Sequence, residues 1–110
     1  LKQLQPESLK NQAERCEYFY RYARLFHKSG HTYSAIEYYK KTIDLAQGID
    51  LYFAPNSCLQ LGYIYTDLER KELAKIYFEK VFQYKNYDYK NSIENKAKAA
   101  LNYLWIELKL

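Results

Sequence analysis

Two histidines have the most obvious spacing for chemistry in this sequence. His27 and His31 are four residues apart, so on one helix their imidazoles would share a face and could bind a metal ion. Gly30 lies between them at a predicted turn, and no third ligand is evident nearby. We therefore predict no metal site, and no other cofactor.

No local pattern in the sequence indicates catalysis. The glycine-rich phosphate-binding motif, the dinucleotide fingerprint and the HExxH zinc motif do not occur. Serine, histidine and aspartate occur, but without the local signature of a catalytic triad. Cys16 and Cys58 form no C-x-x-C pair and fall within apolar helical patterns, which indicates small buried side chains. We predict that the chain is not an enzyme and has no catalytic residues.

The charge distribution gives little support to nucleic-acid binding. The formal net charge is +4, from 17 basic and 13 acidic residues, and it is spread evenly over both halves of the chain. The Lys- and Tyr-rich segment 85–90 could stack bases. Asp88 and the modest charge instead favour a linker whose tyrosines pack on the flanking helices. Nucleic-acid binding stays only as a minor alternative.

The elements that position these residues are predicted to be helices. Hydrophobic residues make up 48% of the chain, whereas glycine (3) and proline (2) are scarce, which favours long helices around a core. Helical periodicity predicts five helices, over about 6–28, 32–47, 55–67, 71–84 and 91–108. Pro6 and Pro55 suit helix starts, Gly48 suits a helix end, and Asn91 with Glu94 suggests a capping box.

The first two predicted helices align with the next two at an offset of 39 residues. The aligned pairs are Ala23 with Gly62, Phe26 with Tyr65, Ala35 with Ala74, and Tyr39 with Phe78. Small residues let two antiparallel helices approach closely, and the aromatic rings fill the space around that contact. The pattern resembles the tetratricopeptide repeat, whose Leu-Gly, Tyr, Ala and Phe positions hold Leu61-Gly62, Tyr65, Ala74 and Phe78 here.

The resemblance implies an all-α fold, an α-α superhelix formed by a right-handed solenoid of antiparallel helix pairs. The period is longer than the family's 34 residues or so, which makes this a long-period variant. We expect one domain with repeats at about 16–49 and 55–88, followed by a capping or partial-repeat helix at about 91–109. Because the sequence starts with Leu1 and contains no methionine, we expect a fragment of a longer chain.

The resemblance also implies a protein-interaction scaffold, because the first helix of each pair lines a concave, partner-binding groove in this family. The implied partner-binding residues are Tyr20, Arg24, His27, Leu59, Tyr63, Thr66 and Leu101. Tyr20 and Tyr63 would be aromatic anchors, and Arg24 would bind a carboxylate of a protein or peptide. The alternative is that both tyrosines are ordinary half-buried residues and that Arg24 is solvated. Chaperone-binding members need Lys and Asn where Tyr20 and Arg24 stand, so we do not expect chaperone C-termini as ligands.

The C-terminal stretch is apolar on several sides of its helix. We hypothesise a self-association surface of Leu104, Trp105 and Leu108, which gives an alternative function as a homo-oligomeric structural segment. No apolar run approaches the roughly 18 residues that span a bilayer, and no signal peptide is visible. We therefore expect a cytoplasmic location.

Overall fold

The computed structural model describes residues 11–109, and these confirm the predicted all-α fold. Five helices follow one another: α1 (Gln12–Lys28), α2 (Thr32–Leu45), α3 (Phe53–Asp67), α4 (Lys71–Lys80) and α5 (Lys90–Lys109). A short 3-10 turn, Val81–Gln83, extends α4. Among the described residues, no helix is both long and apolar enough to cross a membrane.

The first pair of helices differs from prediction at its ends. α1 begins at Gln12 rather than near residue 6, because Asn11 caps it by accepting a 2.8 Å hydrogen bond from the Glu14 backbone N–H. The prediction for Pro6 concerns residues outside the described range. α2 ends at Leu45, two residues earlier than expected, and Gly48 then adopts a φ of +77°, as predicted for a residue just past a helix.

The predicted cap of the last helix is wrong. α5 begins at Lys90, and its first turn is already closed by a 2.9 Å hydrogen bond from the Ile93 N–H to the Tyr89 carbonyl. Asn91 is therefore inside the helix. Glu94 pairs with Lys90, whose Nζ lies 3.3 Å from its carboxylate, and not with an Asn91 cap.

Small residues hold each helix pair together, as the repeat pattern predicts. Ala23 on α1 and Ala35 on α2 are fully buried, as is Ala74 on α4. Gly62 on α3 lies directly against the Phe78 ring: a Cβ at Gly62 would be 2.5 Å from Cδ1 and 2.6 Å from Cζ. The two repeats therefore bury their equivalent small positions.

The two pairs stack through α3, which packs against each of the other four helices. From the first pair, the Tyr20 ring lies 5.2 Å from the Phe53 ring, and Lys40 Nζ lies 5.9 Å from the Tyr65 ring centroid. From its own pair, the Tyr77 ring stacks on the Tyr65 ring at 5.6 Å. Most of α3 is consequently buried.

The segments between the pairs carry the extra residues of the long period. Tyr87 in the loop after α4 packs into the core, as predicted. Tyr89 remains mostly exposed. Its ring makes an edge-on contact at 5.4 Å with the ring of Tyr52, which directly precedes α3. The prediction that the loop tyrosines pack on the helices is thus confirmed for Tyr87 and only partly for Tyr89.

α5 packs on the second pair through one face. Ile93, Ala97 and Leu104 are buried, and Glu107 forms a 3.2 Å ion pair with Lys71. Leu104 therefore cannot contribute to the predicted self-association surface of Leu104, Trp105 and Leu108, whereas Trp105 is exposed. Leu104 follows Ala97 by two helical turns, so it lies on the same core-facing side and is 1% exposed. The side chain of Leu108 lies outside the described part of the structure.

The opposite side of α5 is largely polar over residues 91–102. Asn95, Lys96 and Asn102 are exposed there. The equivalent positions of α3, 38 residues earlier, hold the buried Ser57, Cys58 and Ile64. Polar residues have thus replaced a buried stripe where this helix faces water.

Candidate functional site

α1 and α3 are the first helices of the two pairs. Together with α5, they show the same solvent exposure at several equivalent positions on one side. Equivalent positions are 39 residues apart between α1 and α3 and 38 apart between α3 and α5. One row, formed by Arg24, Tyr63 and Leu101, is half-buried on all three helices. We call this row and its flanking rows the first-helix face. The flanking rows are the half-buried Glu17, Asn56 and Glu94 on one side and the exposed Lys28, Asp67 and Trp105 on the other.

Two of the predicted partner-binding residues do not line this face. Leu59 is 1% exposed and Tyr20 is 7% exposed, and their equivalent on α5, Ala97, is also buried. The row one turn before the half-buried row is therefore buried on all three helices, and Tyr20 packs there against Phe53 of α3. The prediction that Leu59 contacts a partner, and that Tyr20 serves as an aromatic anchor, is corrected accordingly.

Arg24 and His27 both contact the hydroxyl of Tyr39, a residue that is buried in the core beneath them. Arg24 Nη1 donates to Tyr39 Oη at 3.3 Å, and His27 Nδ1 lies 3.0 Å from the same oxygen. Arginine can only donate, so Tyr39 Oη accepts from Arg24, and the Tyr39 O–H is available to donate to His27 Nδ1 when that nitrogen carries no proton. Tyr39 therefore restrains the positions of both side chains.

The electrostatics of this cluster agree with its hydrogen bonds. Burial lowers the pKa of His27, and the neighbouring Arg24 charge lowers it further, against a smaller raising effect of Asp67. Burial also raises the pKa of Tyr39 to about 12, despite the Arg24 hydrogen bond. Arg24 makes no ion pair within residues 11–109.

Asn56 joins the first-helix face of α3 to α1. Its Nδ2 donates to Tyr20 Oη at 2.6 Å, which holds the amide in place and leaves the Asn56 carbonyl oxygen to accept from other groups. Tyr20 thus has a positioning role, because its ring is buried against Phe53 while its hydroxyl orients an amide on the face.

The middle of the face is aromatic. The half-buried Tyr63 ring meets Phe78 edge-on at 5.5 Å, so one side of the ring packs on the core. Thr66 is half-buried, and its hydroxyl donates to the Gly62 carbonyl at 2.8 Å. That bond uses the only hydroxyl proton of Thr66 within its own helix, so Tyr63 is the better recognition group of the two.

The α5 end of the face is mainly apolar. Leu101 is half-buried beside the exposed Trp105, whose ring lies 4.8 Å from Lys109 Nζ. Trp105 is 59% exposed. The half-buried row therefore changes from cationic at α1 (Arg24), through aromatic at α3 (Tyr63), to aliphatic at α5 (Leu101).

The other residues that could bind a metal or react, His31, Cys16 and Cys58, have different surroundings. The His27 ring lies edge-on to Tyr39, whereas the His31 ring lies against Phe26, so the two histidines face different partners. No group of three potential metal ligands occurs among the described residues. Cys16 and Cys58 are buried as free thiols, as predicted.

A family model of the tetratricopeptide repeat matches residues 9–48 and 55–88, which together are more than half of the chain. The chain belongs to the tetratricopeptide-repeat family. Both matched segments correspond to the two helix pairs, and tetratricopeptide repeats generally mediate protein–protein interaction, typically as non-enzymatic scaffolds. No curated protein and no solved structure matches the chain.

Sequence reasoning missed the organising role of Tyr39 in these tetratricopeptide repeats. The repeat pattern predicts only a core position for Tyr39, by its alignment with Phe78. The available signal was the hydroxyl itself, because a tyrosine replacing a phenylalanine in a core position needs a hydrogen-bond partner. Arg24 and His27, which are one turn apart on α1, are the partners within reach.

Proposed function

We propose that the chain binds an extended segment of a partner protein across the first-helix face of α1, α3 and α5. The observation that supports this most strongly is the row of equivalent half-buried side chains, Arg24, Tyr63 and Leu101. A half-buried side chain combines a fixed orientation with accessible surface. A row of such side chains on three neighbouring helices offers contacts to one ligand at regular intervals.

The proposal is also supported by preorganisation. Arg24 and His27 are held by Tyr39, Asn56 is held by Tyr20, and Tyr63 is held against Phe78. Side chains that are already fixed lose little conformational entropy when a ligand arrives. Tyrosine and arginine are also the residue types that contribute most to binding at protein interfaces.

The experiment is a selection of peptides from a random phage-displayed library, followed by affinity measurements on purified variants. Tyr63→Ala and Arg24→Ala should each weaken the selected peptides by about tenfold or more. Ile76→Ala is the control, because Ile76 is an apolar side chain that is about half exposed on α4, away from the face. The proposal would be contradicted if Tyr63→Ala and Arg24→Ala bound the selected peptides as tightly as Ile76→Ala does. This comparison requires that the urea unfolding midpoints of all three variants stay close to that of the wild type.

A second candidate function is self-association through α5. It is favoured by three large apolar side chains on the exposed side of the helix, Tyr103, Trp105 and Ile106, each more than half exposed. Sedimentation velocity over a concentration series tests it, and Ile106→Glu should shift the distribution toward monomer. A wild-type protein that stays monomeric at millimolar concentration would eliminate this candidate.

A further inference from the structure

Both loops that lengthen the repeat line one cavity. Residues 43 and 46–51 contribute from the end of α2 and the loop before α3, and residues 83–85 and 87 contribute from the segment between α4 and α5. The cavity has a volume of about 260 Å³ and is open to solvent. We call it the loop cavity. All of its lining residues belong to α2, the 3-10 turn or the loops, so it is separate from the first-helix face.

The loop after α2 is held in place by hydrogen bonds. Gln12 Nε2 donates to the carbonyls of Leu45 and Gln47, the second at 3.2 Å. The Ile49 N–H donates to the Ala46 carbonyl at 2.9 Å, which closes a turn within the loop. This side of the loop cavity is therefore formed before any ligand arrives.

The loop before α5 is held in place by its tyrosines. Burial raises the pKa of Tyr84, and Cys58 of α3, with which its hydroxyl forms a hydrogen bond, adds to that shift. At the other end of the loop, the Tyr89 ring contacts the Tyr52 ring at 5.4 Å. Tyr89 has a φ of +69°, in the left-handed region that residues with side chains rarely adopt. The second side of the loop cavity is thus also preformed, as is usual for small-molecule sites.

The lining of the loop cavity is partly aliphatic and balanced in charge. Ile43, Ile49 and Leu51 supply its larger aliphatic side chains. Asp50 and Lys85 are its two charged lining residues, so their charges cancel. An ion of either sign would be attracted by one of them and repelled by the other, and it would also lose hydration. The lining therefore favours a molecule that has no net charge.

The volume of the loop cavity limits the size of that molecule. A cavity of about 150 Å³ is enough for one benzene ring, whereas drug-sized ligands occupy pockets of about 300 Å³ or more. We propose that the loop cavity binds an uncharged small molecule, one or two rings in size, with an apolar body and an amide- or hydroxyl-type polar edge. This site is additional to the partner-binding face proposed above and does not depend on it.

Tyr87 is the reason for including a polar edge. Its side chain lines the loop cavity and is 8% exposed, and its hydroxyl has no hydrogen-bond partner among the described residues. Buried hydroxyl groups in native proteins nearly always have such a partner. A carbonyl or hydroxyl group on a molecule seated against Tyr87 can supply it.

The test uses three probes that share one ring and differ in charge: benzamide, benzoate and benzylammonium. Each is titrated into the ¹⁵N-labelled full chain at pH 7, and the backbone amide shifts give both the affinity and the location. Benzamide should bind with a Kd in the millimolar range, about threefold or more tighter than either ion. Its shifts should be largest at Gly48, Ile49 and Lys85, and small at Arg24 and Tyr63 of the first-helix face.

Charge substitutions in the lining should change the preferred probe. Asp50 and Lys85 are exposed, so their replacement should leave the fold intact. Lys85→Glu should transfer the preference to benzylammonium, Asp50→Lys should transfer it to benzoate, and the double variant should prefer benzamide again. Lys98→Glu is the matched control, because it changes the net charge equally at an exposed position of α5.

Three results would overturn the inference. The first is equal affinity for the three probes, or no saturable binding of benzamide at tens of millimolar. The second is a set of amide shifts that lies outside the two loops. The third is an equal change of preference in Lys85→Glu and Lys98→Glu, which would assign the effect to the net charge of the chain. The proposed function is tested separately, by the peptide affinities of Tyr63→Ala and Arg24→Ala.

Discussion

Gly62→Ala is expected to destabilise the protein although it replaces a glycine within a helix. In an exposed helix interior, this change would stabilise by up to about 1 kcal/mol. At Gly62, the added methyl would meet Cδ1, Cε1 and Cζ of Phe78, at distances that real Cβ atoms do not show. Phe78 is 1% exposed and packed against Tyr63, so it has little room to move away.

The magnitude follows from these opposing terms. Overpacking a core costs about 1–3 kcal/mol, from which the helix-propensity gain of about 1 kcal/mol is subtracted. A net loss of up to about 2 kcal/mol results, with a central value of about 1 kcal/mol. With a slope of roughly 1.5 kcal/mol per molar urea for a domain of this size, the unfolding midpoint should fall by about 0.7 M for that central value. Circular dichroism during urea titration measures this shift.

Testing Gly62→Ala together with a second substitution shows whether the Phe78 ring causes the destabilisation. Phe78→Val removes all three ring atoms that the new methyl would meet, so Gly62→Ala should then be neutral or stabilising. At the equivalent position of the first pair, Ala23 already carries a methyl in a fully buried site, and Ala23→Gly should cost about 1 kcal/mol or more. If Gly62→Ala proves as stable as the wild type, or if its cost persists in Phe78→Val, the close approach is not what requires glycine there.

Three further outcomes are expected. Burial raises the pKa of Cys16 to about 11 and that of Cys58 to about 12, so Ellman's reagent should label neither thiol near pH 8 in the folded protein and both in urea; rapid native labelling would contradict this. Because burial and Arg24 lower the folded-state pKa of His27, the unfolded chain binds its proton more readily, and the free energy of unfolding should fall as the pH drops below about 6.5. His27→Gln should flatten that slope in urea titrations, and an unchanged slope would exclude His27 as its source. Asn11→Ala should lower the free energy of unfolding by about 1 kcal/mol through loss of the α1 cap, whereas an unchanged unfolding midpoint would show that the cap contributes nothing.

The pairing of helices was predictable because it depends on residue size at fixed spacing. Ala23 with Ala35 and Gly62 with Ala74 are readable from the sequence as small positions, since only small residues allow such close helix contacts. The helix ends were less predictable. Asn11 and Asn91 carry the same side chain, yet Asn11 caps α1, whereas the hydrogen bond of Ile93 to Tyr89 shows that the last helix starts before Asn91.

The candidate site was predicted only in part, because α3 is apolar on nearly every side. Leu59 and Tyr63 are one turn apart on the same helix, yet one is enclosed by neighbouring helices and the other is accessible. Hydrophobic periodicity cannot separate them, since both positions are suitably apolar. Trp105 illustrates the same limit on α5, where the adjacent Leu104 is buried and only the three-dimensional packing distinguishes the two.

The central location of α3 affects how far this protein can be treated as modular. Tandem arrays are often divided at the linkers between units, as though each unit were a separable building block. Here a cut between residues 46 and 52 would strip α1 and α2 from one flank of α3 and expose the Phe53 ring that packs on Tyr20. Neither half would keep an intact interior, so the described helices should melt as one indivisible cooperative unit rather than as two.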